Sequence, residues 1–178
     1  GNYTGSKTLS FKINPVNISK CTVKLSATSF TYKAAAITPT VTIKNSNGAT
    51  LTKDTHYILS YSSGRRNVGT YNVKVTLKGN YTGTKTLSFK ITPMDISKCK
   101  VSLSATSLTY NAKTRTPTVT VTNSNGVKLT KDTHYTVTYA SGRKNVGTYN
   151  VKVTLKGNYT GTKTLSFKIN PIDISKCT

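Results

Sequence analysis

Six side chains in this sequence could act as general acids or bases near neutral pH, and most of them belong to one short motif. They are Asp54, His56, Asp95, Asp132, His134 and Asp173. General acid–base catalysis requires such groups to converge on a reacting atom. Each Asp–His pair lies in Lys-Asp-Thr-His-Tyr, just before a strand. Counted along the alternating side chains, the aspartate and the histidine fall on the face opposite to the core tyrosines. This pattern favours an Asx-type turn with a surface histidine over a catalytic dyad.

The chain contains few residues suited to a metal site or a covalent cross-link. One cysteine and one histidine per repeat cannot complete a zinc site, and one or two acids per repeat supply too few oxygens for calcium. The absence of glutamine excludes Cys–Gln and Thr–Gln cross-links. A Lys–Asn isopeptide bond needs a buried acid, and the surface parity of Asp54 and Asp132 argues against one. The sequence predicts no catalytic residue, no cofactor and no metal site, and hence no enzyme.

Three cysteines, Cys21, Cys99 and Cys177, recur at a constant spacing of 78 residues. One cysteine per repeat cannot form a disulfide within its repeat. Cys21 shares parity with Val23 and Leu25, which places it on the buried face of a strand. A small buried thiol is therefore favoured, while an interchain disulfide and a reactive thiol remain open.

Positive charge is the other chemical feature of the chain, with 26 Lys and Arg against 4 acids and a formal charge of +22. Such a field favours polyanions, among them nucleic acid, anionic wall polymers, acidic glycans and anionic membrane surfaces. It is equally typical of a solvated, self-repelling surface. The candidate anion-binding residues are Arg65, Arg66, Arg143 and Lys144, in glycine-containing loops.

Further groups could extend such a site. Outward lysines are expected on one sheet face, and Tyr81 and Tyr159, expected to be exposed at hairpin tips, could stack on a sugar or base. No motif of a nucleic-acid-binding fold accompanies the charge, which argues against DNA or RNA. No apolar run approaches the roughly 20 residues of a membrane span.

The groups named above lie on or between strands in which apolar and polar residues alternate. Tyr149, Val151, Val153 and Leu155 alternate with polar residues, and Leu165, Phe167 and Ile169 do so after a glycine-bearing turn, which predicts a hairpin. Tyr135, Val137 and Tyr139 form a further strand whose apolar residues share this core. Short strands separated by turn residues are typical of a β-sandwich or barrel.

The chain repeats itself with a period of 78 residues. Residues 1–78 and 79–156 align without a gap and are identical at 58 of 78 positions, and a third copy begins at Gly157. We expect a fragment of a longer array. Pro15, Pro93 and Pro171 follow the last strand of each copy and predict short, semi-rigid linkers.

The motifs Leu-Thr-Lys-Asp-x-x-Tyr and Asn-Val-Gly-Thr recur in both copies, and Gly-Asn-Tyr-Thr-Gly-Thr occurs at residues 79–84 and again at 157–162. In these, the chain resembles the tandem immunoglobulin-like repeats of large surface proteins of Gram-positive bacteria. The resemblance covers nearly the whole chain. It implies an extracellular, cell-surface stalk or adhesin.

The predicted fold is all-β, as tandem immunoglobulin-like β-sandwich repeats of 78 residues. Residues 1–14 would be the closing strand of a preceding repeat, 15–92 and 93–170 two complete repeats, and 171–178 the start of the next. The amphipathic strand between Lys7 and Ile13 then has no place in either complete repeat. It is predicted to pair head-to-tail with a neighbouring copy.

Two functions remain open at this stage. One is a non-catalytic structural stalk. The other is a basic module that binds an anionic wall polymer or glycan through the avidity of its repeats. Retention on an anionic matrix that ignores polymer identity and vanishes by about 0.3 M salt would indicate generic charge.

Overall fold

A computed structural model describes residues 1–173 and residue 175. Strands dominate this part of the chain, and the named helices are single turns of 3-10 helix at Ile18–Lys20 and Ile96–Lys98. The β-branched residues that alternate through the sequence suit pleated, half-buried strands. The prediction of an all-β fold is confirmed.

Each repeat contains eight strands in the same order. The first eight are β1 (Val16–Asn17), β2 (Thr22–Leu25), β3 (Ser29–Thr31), β4 (Val41–Lys44), β5 (Tyr57–Tyr61), β6 (Gly69–Leu77), β7 (Tyr81–Thr82) and β8 (Thr84–Thr92). The second eight are β9 (Met94–Asp95), β10 (Lys100–Leu103), β11 (Ser107–Thr109), β12 (Val119–Thr122), β13 (Tyr135–Tyr139), β14 (Gly147–Leu155), β15 (Tyr159–Thr160) and β16 (Thr162–Asn170).

The strands of each repeat form a sandwich of one large and one small sheet. The large sheets have the orders β3-β8-β6-β5 and β11-β16-β14-β13, and the small antiparallel sheets are β2-β4 and β10-β12. Within the large sheet of the second repeat, β14 is antiparallel to β13 and β16, whereas β11 is parallel to β16. The fold is therefore a tandem pair of immunoglobulin-like β-sandwiches, as predicted.

Two compact units divide the chain. The first comprises Gly1–Thr28, Thr38–Ser63 and Thr70–Phe89, and the second comprises Ser29–Ile37, Gly64–Gly69 and Lys90–Thr178. The second unit thus includes two segments that precede its main body in sequence. The proline boundaries at 15, 93 and 171 stay a prediction.

The core of the second repeat lies on the face that alternation predicted. Its buried strand residues include Tyr135, Val151, Val153, Leu155, Phe167 and Ile169, and the half-buried Val137, Tyr139 and Leu165 pack against them. In the first repeat the buried counterparts are Tyr57, Val73, Val75, Leu77, Phe89 and Ile91. The period-two assignment of these strands is confirmed.

The connection between the two long strands of each hairpin is more elaborate than the predicted turn. In the second repeat β15 pairs in parallel with β9, with Tyr159 opposite Met94. The backbone N–H of Leu155 donates to the Gly161 carbonyl at 2.9 Å and closes the hairpin. A residue pattern predicts the turn, but the parallel bridge depends on a segment more than sixty positions away.

Residues 1–15 contain no strand. Leu9, Phe11 and Ile13 are 80%, 89% and 84% exposed, so the expected apolar face of this segment is present but uncovered in the single chain. Its pairing with a neighbouring copy stays a prediction.

Candidate functional site

In both candidate anion-binding loops the first basic residue already donates a hydrogen bond to a backbone carbonyl, but the two carbonyls lie in different places. Nη1 of Arg143 donates to the Ala140 carbonyl at 2.8 Å, and its guanidinium lies 5.1 Å from the centre of the Tyr139 ring. In the other loop Nε of Arg65 donates to the Ile37 carbonyl at 3.1 Å. Both arginines are half-buried. Arg143 stabilises its own loop, whereas Arg65 links its loop to the segment that contains Ile37.

The second basic residue of each loop is differently placed. Arg66 and Lys144 are exposed, and their backbone N–H groups donate to Gly64 and Gly142 at 2.6 Å. These glycines have φ of 76° and 74°, a left-handed conformation that glycine adopts without the steric cost of a Cβ. The turn therefore presents the second side chain to solvent, where it can meet an anion.

The outward lysines expected on the strands are exposed in both repeats. They are Lys74, Lys78, Lys90, Lys152, Lys156 and Lys168. In the β14–β16 ladder Lys168 lies opposite Thr148, and Lys152 lies opposite Thr164. Threonine therefore separates the charges on the outer face of the sheet, which reduces their mutual repulsion.

Each histidine side chain stabilises a turn by accepting a backbone hydrogen bond. Nδ1 of His134 accepts the backbone N–H of Thr130 at 3.0 Å, and Nδ1 of His56 accepts that of Thr52 at 2.9 Å. Asp132 has φ of 63°, and its N–H donates to the Tyr135 carbonyl at 2.7 Å. The predicted turn is present. Each histidine, however, is half-buried rather than a free surface residue, because its ring packs edge-on against a tyrosine.

Those tyrosines are Tyr81 and Tyr159, and the prediction that they are exposed stacking residues is wrong. Tyr159 is 4% exposed, and the side-chain amide of Asn123 donates to its hydroxyl at 3.2 Å. Burial raises the pKa of Tyr159. Tyr81 is half-buried and receives the equivalent bond from Asn45 at 3.3 Å. Local sequence could not reveal this, because the asparagine that binds each tyrosine lies 36 residues away.

Cys21 and Cys99 are buried free thiols, as predicted. Burial raises the pKa of both, and the negative charge of Asp95 adds to the effect at Cys99. A raised pKa lowers the thiolate fraction and hence the reactivity with electrophiles. Cys177 lies outside the described residues.

A groove that the sequence did not predict opens beside the core of each repeat. In the second repeat it measures about 580 Å³ and runs between Thr116–Val119 and Lys128–Tyr139. The hydroxyls of Tyr135 and Tyr139 donate to the carbonyls of Val119 and Pro117 at 3.2 and 2.6 Å, which fixes both rings in its wall. A smaller groove of about 330 Å³ has the matching lining in the first repeat.

The lining of these grooves combines threonine hydroxyls, tyrosine rings and lysines. Lys128 and Lys131 line the larger groove, and Lys53 lines the smaller one. Hydroxyls and aromatic rings suit a sugar, and lysines suit an anionic substituent. Among residues 1–173 and 175, no cluster of three or more metal-binding side chains occurs. No helix in the same residues is long and apolar enough to cross a membrane.

Comparison with known proteins identifies the repeat. The sequence profile of the MBG domain family matches residues 21–95 and again residues 99–173. A search of the curated proteins found no match. Among solved structures the chain is similar to PcdhgB3 EC1-4, with 10% identity and a TM-score of 0.27 over 87% of this chain. The alignment covers 51% of that structure, so the chain spans about half its length.

Proposed function

The chain belongs to the MBG domain family, and from that premise we propose that its tandem repeats are structural stalk segments of an extracellular protein. The stalk would be non-catalytic and would belong to a surface protein or adhesin of a Gram-positive bacterium. The observation that carries the proposal is the repetition itself. Two copies of one family domain place equivalent residues in equivalent cores, so every added copy adds a folded unit.

The use of the titratable side chains supports a mechanical role. Both histidines accept backbone N–H groups within turns, and both described cysteines are buried. The carboxylates of Asp95 and Asp173 each accept hydrogen bonds from the serine two residues later, which lowers the pKa of both carboxyls. Asp95 accepts the Ser97 N–H, and Asp173 accepts first the Ser175 hydroxyl and then its N–H. These groups stabilise local structure, and such a repeat can be copied without duplicating an active site.

The strand topology also suits a load-bearing element. The early strand β11 is parallel to the last strand β16, with Ser107 opposite Lys168 and Thr109 opposite Asn170. The bridges β1–β7 and β9–β15 are parallel as well. When the chain is pulled from both ends, tension enters one strand of such a parallel pair near the start of the repeat and leaves through the other near its end, so the hydrogen bonds between the two strands are loaded in shear. Several bonds must then break together, which raises the unfolding force.

We expect the pulled chain to unfold in two discrete steps of equal length. Each step should release about 25 nm of contour, because a repeat of 78 residues extends by 3.3–3.6 Å per residue, less its folded length. Single-molecule force spectroscopy between handles at the two termini measures this. One step near twice that length, or gradual extension without steps, would contradict the stalk proposal.

A second candidate function is binding of an anionic wall polymer or glycan, and the recurring groove favours it. Thr116, Lys131 and Tyr139 line the groove of the second repeat, and their counterparts Thr38, Lys53 and Tyr61 line that of the first. Exposed Arg66 and Lys144 would add charge in the loops, with Arg65 and Arg143 supporting them. Two sites of matching lining on one chain would gain avidity for a repeating polymer.

The binding candidate predicts discrimination between polymers above the salt concentration that screens generic charge. At about 0.3 M salt the chain should be retained on only one of two anionic matrices, a glycerol-phosphate polymer or a sulfated glycan, and should not be retained on a neutral glucan. Lys131→Ala should weaken that retention several-fold, and Lys163→Ala, an equal charge loss outside the groove, should not. Elution from all three matrices at that salt would rule the candidate out and leave the stalk proposal intact.

A further inference from the structure

The second unit contains a polar and aromatic cluster in which a hairpin end meets two loop segments. The Asn158 side chain accepts the Val68 backbone N–H at 2.8 Å and donates to the Asn67 side chain at 3.0 Å. The Tyr159 ring packs edge-on against Tyr32, with 5.3 Å between centroids. All five residues belong to the same compact unit.

Each residue of this cluster has a counterpart 78 positions away, and the counterparts are more exposed on the hairpin side. Asn158 is half-buried and Tyr159 is buried, whereas Asn80 is exposed and Tyr81 is half-buried. Asn123, which bonds the tyrosine, is likewise buried, whereas Asn45 is half-buried. The sequence Gly-Asn-Tyr-Thr-Gly is identical at both places, so the difference follows from what covers the hairpin end.

On the loop side the difference is reversed and is carried by the valine, since Asn67 and Asn145 are both exposed and Tyr32 and Tyr110 are both half-buried. Val68 is half-buried, whereas its counterpart Val146 is 50% exposed. The chain therefore carries a second hairpin end at Asn80 and Tyr81 and a second loop end at Tyr110, Asn145 and Val146.

We propose that these two ends bind each other between copies of the chain, head to tail. The Val146 N–H would donate to the Asn80 side chain, which would donate in turn to Asn145, and Tyr110 would cover Tyr81. The partner is a second copy because the cluster around Asn158 and Tyr159, which joins a hairpin end to a loop end, is made from the same residue types at equivalent positions. A heterologous contact of this sort builds open filaments. The inference goes beyond the stalk proposal and does not depend on it.

The contact is small, so we expect weak association that grows with protein concentration. Sedimentation velocity at up to about 1 mM protein should show species beyond the monomer. Salt of about 0.3 M is needed, since it screens the repulsion between chains of charge +22. A chain that stays monomeric under these conditions overturns the proposal.

Two variants, each lacking one end, make the test specific. Asn80→Ala removes the hairpin-end amide, and Val146→Asp places a charge at the loop end. Both side chains are exposed, so the fold should survive, which circular dichroism checks. Each variant alone should associate at least tenfold more weakly than the parent chain. Their equimolar mixture should form a dimer and nothing larger, because each variant supplies the end that the other lacks.

Controls separate this contact from other sources of association. Asn2→Ala changes the same Gly-Asn-Tyr-Thr-Gly motif in the exposed amino-terminal segment and should leave association unchanged. If Phe11→Asp abolishes association while Asn80→Ala does not, the segment between Lys7 and Ile13 makes the contact and the proposal is wrong. A mixture of the two end variants that stays monomeric overturns it as well.

Discussion

Replacing Phe167 by alanine is expected to lower the free energy of unfolding of its repeat by about 3–5 kcal/mol. Phe167 is 1% exposed, and its ring lies 5.7 Å from that of Tyr149 within the core. Truncation loses the transfer free energy of the ring and leaves a cavity that strands on both sides cannot close, since β16 lies between β11 and β14. Urea unfolding followed by circular dichroism measures the loss.

The matched control for this prediction lies one residue away on the same strand. Ser166→Ala alters the exposed face, opposite Asn150 in the ladder, and should change stability by less than about 0.5 kcal/mol. Phe89→Ala should reproduce the large effect in the other repeat, because Phe89 is also 1% exposed. A loss under about 1 kcal/mol for Phe167→Ala would mean that the side chain does not occupy the core.

The strands and their buried faces could be predicted because period-two alternation is a local signal. Val151, Val153 and Phe167 alternate with exposed polar residues, and a one-residue slip would move all of them to the wrong face. The turn at Asn125-Gly126 depends on a similarly local signal, because an Asn-Gly pair favours positive φ and Gly126 adopts φ of 78°. Such features depend on neighbours within a few positions.

The functional surfaces were less predictable because they depend on contacts between distant residues. Tyr159 appeared to be a hairpin-tip tyrosine, and its burial depends on Asn123 and Tyr32, which are 36 and 127 positions away. Arg143 is a candidate anion-binding residue by its sequence, but its guanidinium lies over the Tyr139 ring, a position that only the folded loop reveals. The groove beside the core lies where the two sheets of a repeat meet, and no local residue pattern predicts the distance between those sheets.

Replacing Gly161 by alanine should destabilise the second repeat by about 2–4 kcal/mol, because this glycine faces two constraints at once. Its φ of 100° is a conformation that L-residues rarely adopt, which costs about 1–3 kcal/mol. An added Cβ would also lie 2.8 Å from Cγ2 of Ile96 and 3.3 Å from Oδ2 of Asp95. Ile96 is buried, so it cannot move aside at low cost.

Gly126→Ala serves as a comparison that has only one of the two constraints acting on Gly161, the positive φ, without the close approach to a buried side chain. Gly126 has a positive φ of 78° but no atom within 4 Å of an added Cβ, so we expect a loss of only about 1–2 kcal/mol. If the clash with Ile96 matters, the double variant Gly161→Ala with Ile96→Ala should lose less stability than the sum of the single variants. Equal losses for the two glycine variants, with strict additivity in the double variant, would show that backbone strain alone sets the cost. The close approach of Gly161 to Ile96 would then contribute nothing to holding β15 against β9.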